Sequence, residues 1–311
     1  WLPFIGYLGS LAEAISPVSA NLTGTARLAA DTPRQIANAH TLFNVANTIL
    51  FLCFLGSFAR LIQRIIPEKP EVLPEYARPK YLDDALLQTP ALALDLIRLE
   101  AVRLGGYMEE LTGMVRPAVL RGTKEDLDNV VSREKELRML LDAITDYSRK
   151  LYSTEMKSGE KRRLEALVIV TNNLLHVGET IAVNLVSIGR ERLERRFAYS
   201  EETIKRFQPY SDKIIEALHL AVRALDTKDA GLAGSVLAMR PEIERSADEL
   251  VEHLSQRLVS GDPDRAVLYR VESQLVELIQ RIYYFAGMIA NEIVKESDRV
   301  SQGMNPVLRY S

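Results

Sequence analysis

At 311 residues the chain exceeds the usual reach of one hydrophobic core, so two domains are expected. A composition 47% hydrophobic and 26% charged excludes a disordered or collagen-like polymer, and sparse Gly (16) and Pro (13) favour helix over an all-β sandwich. The single cysteine, Cys53, excludes a disulfide framework or a thiolate zinc site built within one chain, and the formal net charge of -3 excludes the basic excess of a nucleic-acid binder.

That charge is unevenly shared. Up to Pro70 the basic residues are Arg27, Arg34, Arg60, Arg64 and Lys69, and the acidic ones are Glu13, Asp31 and Glu68. The remaining 34 of 39 basic and 39 of 42 acidic residues all follow Pro70. An apolar, slightly basic segment therefore precedes a densely charged, acidic remainder, which implies two different solvents.

The opening WLPFIGYLGSLAEAIS is apolar but too short to cross a bilayer alone, and it lacks the basic start of a signal peptide. Trp1 is expected to lie inside a longer transmembrane helix. Residues 17–36, rich in Ser, Thr, Ala and Pro, would link it to the next. From Thr41 to Ala59 no side chain carries a formal charge, and that run reaches the ~18–20 residues a span needs. Arg60 and Arg64 close it, which points that end to the cytoplasm. A buried core helix is the alternative; length and basic flank favour the span. His40, Asn44 and Asn47 recur at helical spacing and make one face polar at membrane depth. Such a stripe either lines a solute path or hydrogen-bonds to neighbouring helices, and the second reading is preferred.

After a linker at 67–83 rich in Pro and charge, the pattern is almost continuously helical. Leu127, Val130, Leu137, Leu141, Ile144 and Leu151 form one stripe at spacings of three and four. Leu164, Leu167, Thr171, Leu174, Gly178, Ile181 and Leu185 form a second, and Val271, Leu275, Leu278, Ile282, Phe285 and Ile289 a third. Six helices are predicted, at about 88–121, 124–155, 160–197, 201–226, 230–259 and from 263 onward. Thr123 with Asp126 reads as a capping box, Ser200 precedes Glu201 and Glu202, and Asp262-Pro263-Asp264 opens the last helix. Two sets of three long helices, 88–197 and 201–300, form a repeat of architecture in an antiparallel bundle.

Catalytic motifs are missing: there is no Gly-rich phosphate loop, nucleophile elbow or His-Glu-x-x-His. The expectation is that the chain is not an enzyme. Glu244 and Asp248 stand one turn apart, as an oxygen-ligated metal would need, but with Arg245 between them a solvated face is the preferred reading.

Two stretches carry a resemblance. Residues 31–52, DTPRQIANAHTLFNVANTILFL, resemble the last membrane segment of bacterial sodium/phosphate cotransporters. Residues 171–186, TNNLLHVGETIAVNLV, resemble the PhoU signature helix, in which Asn-Asp-Leu-Glu-Arg-Ile-Gly-Asp is typical. The resemblance covers essentially the whole chain. It implies an all-α protein in three parts: the end of a transporter domain (1–66), a linker (67–83) and a PhoU-like bundle (84–311). The bundle would comprise two three-helix repeats, about 84–198 and 199–300.

PhoU-like proteins bind iron or zinc through Glu/Asp-x-x-x-Asp pairs, and the resemblance places Glu134, Glu179, Glu244 and Asp248 at such positions. Departures weigh against metal. Leu175 and Asn173 replace acids of the signature helix, Arg138 stands where a second acid is expected, and Gln280 and Arg281 complete no second pair.

The resemblance further implies a secondary transporter moving phosphate with sodium through the lipid bilayer of the inner membrane. It would be multi-pass, with its bundle in the cytoplasm and a homodimer among its allowed states. The Gln-Ser-Ser-Ser segments that bind phosphate and sodium in that family do not occur here, so the substrate site is expected in sequence upstream. The rival reading is a membrane-anchored helical signalling or scaffolding protein, which would need no further spans.

Overall fold

A computed structural model describes residues 5–16, 19–65, 77–257 and 263–303. The chain divides into two compact units, Trp1–Val72 and Leu73–Ser311, and its described elements are all helical.

In the first unit α1 (Ile5–Ala14) pairs with α2 (Gly24–Ile65). Their join is polar. Asn38 donates to Ser16 Oγ at 2.9 Å, and the Ser19 hydroxyl donates to Asp31 Oδ1 at 2.7 Å. The expected link at 17–36 is much shorter in the structure, because α2 already begins at Gly24 and runs through Pro33. Ala26, Leu28, Ala29 and Ala30 are strong helix formers, and Pro33 lies inside the helix without ending it. The expectation for Trp1 lies outside the described residues, as does most of the 67–83 linker.

The second unit is the bundle. A short 3₁₀ turn (Asp84–Gln88) leads into α3 (Pro90–Arg121), followed by α4 (Lys124–Tyr152) and α5 (Ser158–Glu179). A π-helical segment, Thr180–Leu185, joins α5 to α6 (Val186–Arg195). Then come α7 (Glu201–Thr227), α8 (Ala230–Ala238), α9 (Arg240–Gln256) and α10 (Pro263–Gly303). Start signals read from sequence act as expected at two helices. Thr123 and Asp126 cap α4 reciprocally, and Ser200 Oγ accepts the Thr203 N–H at 3.1 Å. The proposed Asp262 cap lies outside the described residues.

The helix expected at 230–259 is in fact two. Asp229 caps α8 by accepting the Gly231 and Leu232 amides, and Met239 separates α8 from α9, with Pro241 in the first turn of α9. A proline ring is tolerated there because the first-turn N–H has no helical partner.

Leucine and isoleucine stripes converge on one core, in which α3 packs on α4, α5 and α7, and α10 packs on α5, α7 and α8. Gly105 lets α3 and α7 approach closely, since a Cβ there would meet Val222 Cγ2 at 2.7 Å. The fold thus fixes α4, α5 and α10 side by side, where the signature helix meets its acidic neighbours.

Candidate functional site

Glu134 and Arg138 lie one turn apart on α4, facing His176 and Glu179 one turn apart on α5. Arg138 Nη2 donates to Glu134 Oε1 at 2.7 Å, and its Nη1 stands 3.6 Å from Glu179 Oε1. The other Glu179 oxygen is 3.2 Å from His176 Nδ1. The His176 ring in turn stacks on Phe285 of α10, with centroids 5.2 Å apart and planes inclined by 26°. Gly178 makes room for this arrangement: a Cβ there would lie 3.2 Å from Met108 Cε and 3.5 Å from Glu134 Cγ. The π-helical segment begins immediately after Glu179, with the Thr180 hydroxyl bonded to the His176 carbonyl at 2.8 Å. Such one-turn distortions concentrate at functional positions in helices.

Chemically, Arg138 is a resident cation between two carboxylates. Glu134 is buried, and a buried carboxylate needs a partner of opposite charge. A divalent ion at this point would have to displace the guanidinium, so the residues here do not fit an iron or zinc ion. Among the described residues no group of three or more His, Cys, Asp and Glu converges as a metal site would require.

Glu244 and Asp248 sit on α9 and are both exposed. They are not brought together with Glu134 and Glu179 into one cluster. In the first unit, His40 Nδ1 and Asn44 Nδ2 are 3.2 Å apart, and the Thr41 and Thr48 hydroxyls bond carbonyls one turn back on α2. These bonds stay within one helix. The stripe, with Asn47 half-buried beside it, lies on α2 as its spacing predicts.

Sequence reasoning placed Phe285 on the apolar stripe of the last helix and His176 among scattered histidines. It did not foresee that the two stack to complete the α4–α5–α10 contact, because a histidine with no ligand partner at helical spacing gives no signal of its own. The other omission is Glu272 on α10, fully buried, where its carboxylate accepts from Thr203 Oγ1 at 3.2 Å. Burial pushes the Glu272 carboxyl upward, while Arg265, Arg257 and the Thr203 hydroxyl oppose that shift. A lone Glu among charged neighbours reads as solvated surface in sequence.

This bundle has a PhoU-like fold. It matches the crystal structure of PhoU from Pseudomonas aeruginosa with a TM-score of 0.61 and 15% identity, covering 67% of this chain and 99% of that one. No family model matches the chain. In sequence it is 27% identical over 235 residues to a Salmonella typhimurium protein named "Putative inorganic phosphate export protein YjbB", covering 73% of this chain and 39% of that protein. The Escherichia coli K12 protein of the same name is 27% identical over 197 residues, covering 61% of this chain and 35% of its own length. The chain therefore spans less than two fifths of each of these relatives.

Proposed function

We propose that the chain is the carboxy-terminal part of a phosphate transporter of the bacterial inner membrane, with α2 as its last span and the bundle as a cytoplasmic regulator. One observation carries the reading: a long, exposed apolar helix leads in the same chain to a PhoU-like bundle, and the match to proteins named for phosphate export runs through 73% of its length. The name of the relatives favours outward movement over uptake. Sodium is the coupling ion in this proposal, by resemblance to sodium/phosphate cotransporters. Substrate contacts would be made by spans upstream, near the midplane of the membrane. The bundle would carry no catalytic step. Arg138, holding Glu134 and Glu179, would keep its signature helix closed without a metal.

The test is phosphate flux from loaded proteoliposomes containing the full-length protein, with and without a sodium gradient. Flux that follows the gradient supports sodium coupling, and flux indifferent to it leaves a uniporter or another coupling ion. No flux of phosphate under either condition overturns the transport reading and leaves the anchored adaptor.

A further inference from the structure

Between the apolar helix and the bundle, the described part of the connecting stretch is held in an unusual way. Glu100 of α3 is 0% exposed, and its Oε2 accepts two consecutive backbone amides, Lys80 N at 2.9 Å and Tyr81 N at 2.8 Å. Arg103, one turn on, donates to the other Glu100 oxygen and also to the carbonyl of Arg78. At the far end of the same stretch, the Tyr147 hydroxyl of α4 donates to the Asp83 carbonyl at 2.8 Å, and Lys150 pairs with Asp84 at 2.6 Å. Four backbone groups in six residues are thus taken by side chains of α3 and α4. A fully buried carboxylate is tolerated only when donors surround it, and here two of its donors belong to the connecting strand itself. Among the described residues of this stretch, Ala77 is buried and Leu82 packs half-buried against the core, while polar contacts hold the backbone between them.

We propose that Glu100 and Arg103 form a clamp that makes residues 78–83 a fixed strap, through which the bundle acts on the membrane helix. The action on the membrane helix rests on the transport reading above; the clamp itself does not. A strap fixed at its bundle end can transmit displacement that a slack tether would absorb. Release of the Glu100 carboxylate frees both amides at once, while Arg103 keeps its bond to the Arg78 carbonyl.

Backbone hydrogen exchange of the full-length protein in micelles tests the clamp. In the wild type the Lys80 and Tyr81 amides exchange slowly. In Glu100→Ala they accelerate by about tenfold or more, as loss of bonds to a charged acceptor implies, while α5 and α10 keep their rates. Fast exchange at 80 and 81 in the wild type overturns the clamp. Uniform acceleration across the bundle in Glu100→Ala is decided by Tyr147→Phe, which removes one hydroxyl at the other end of the strap. Acceleration confined to 78–84 in that variant upholds the strap, and unchanged exchange overturns it.

Phosphate flux tests the lever. It predicts that Glu100→Ala matches a protein lacking the bundle. Flux still under bundle control when the strap is free overturns the lever and leaves transport intact. Absence of flux from the wild type overturns transport, and exchange alone then decides the clamp.

Discussion

Among the described residues two rods are long and apolar enough to cross a membrane, α2 and the α5–α6 rod from Ser158 to Arg195. Their surroundings are opposite. The most apolar window of α2 is wholly unburied, whereas 61% of that in the α5–α6 rod is buried inside the bundle. The difference lies in where charge falls. Between Thr41 and Ala59 α2 has none, and it presents Phe51, Leu52, Phe54 and Leu55 outward. The α5–α6 rod starts with Glu160, Lys161, Arg162 and Arg163 and ends with Arg190, Arg192 and Arg195. Average hydropathy is the same currency for a core helix and a span; only an apolar surface without a protein partner demands lipid or further helices.

The comparison breaks or holds on measurement. Leu174 in α5 is 1% exposed and Leu55 in α2 is 65% exposed. Leu174→Ala is expected to cost the bundle about 2–5 kcal/mol in denaturant unfolding, through lost burial and a residual cavity. Leu55→Ala is expected to leave that transition unmoved. Equal effects would mean that α2 shares the bundle's core and is no membrane helix.

A smaller effect is expected at the end of the same rod. Arg196 caps α6 in the left-handed region at φ 55, where a side chain is strained and glycine is not. Arg196→Gly should raise the bundle's thermal midpoint, worth about 0.5–1 kcal/mol. A lowered midpoint would show that the arginine makes contacts outweighing the strain.

The smallest effect concerns the charges that bind the rod to its neighbours. Asp95 of α3 accepts from Arg163 of α5 at 2.7 Å and from Lys228 after α7 at 2.9 Å. Burial opposes its ionisation, but the bonds and charges of Lys228 and Arg163 prevail and hold its carboxyl below the ordinary 3.8. The ionised form is therefore favoured by folding. Its contribution is present above that ordinary value and is lost as pH falls through the depressed one. Because Asp95 is partly exposed and screened, Asp95→Asn should cost only about 0.2–1 kcal/mol at pH 7. The gap from wild type should close in acid and shrink in high salt. A gap independent of pH would assign the loss to packing.

Much of the fold was legible before any coordinates. Stripes at spacings of three and four marked three bundle helices, three more were read between them, and capping residues set two starts correctly. The helix at 230–259 was misread as one piece because Pro241 was not taken as a break; lacking an N–H, it opens α9 just after Met239. The link at 17–36 was misread because a segment rich in Ser, Thr, Ala and Pro reads as loop, although from Gly24 onward it is helical. The candidate site was half legible. Arg138 could be seen in sequence as an intruder among acids, but its bridge to both Glu134 and Glu179 depends on how α4 and α5 pack.

The sequence by itself determined the division into an apolar, weakly basic start and a charged helical remainder, because hydrophobic periodicity and charge are local properties of the chain. Tertiary structure decided which apolar rod is core, where Arg138 points, and that Glu100 and Glu272 are buried. Those outcomes depend on partners distant in sequence, and a charged residue on a helix looks the same in sequence whether water or a strand of backbone surrounds it.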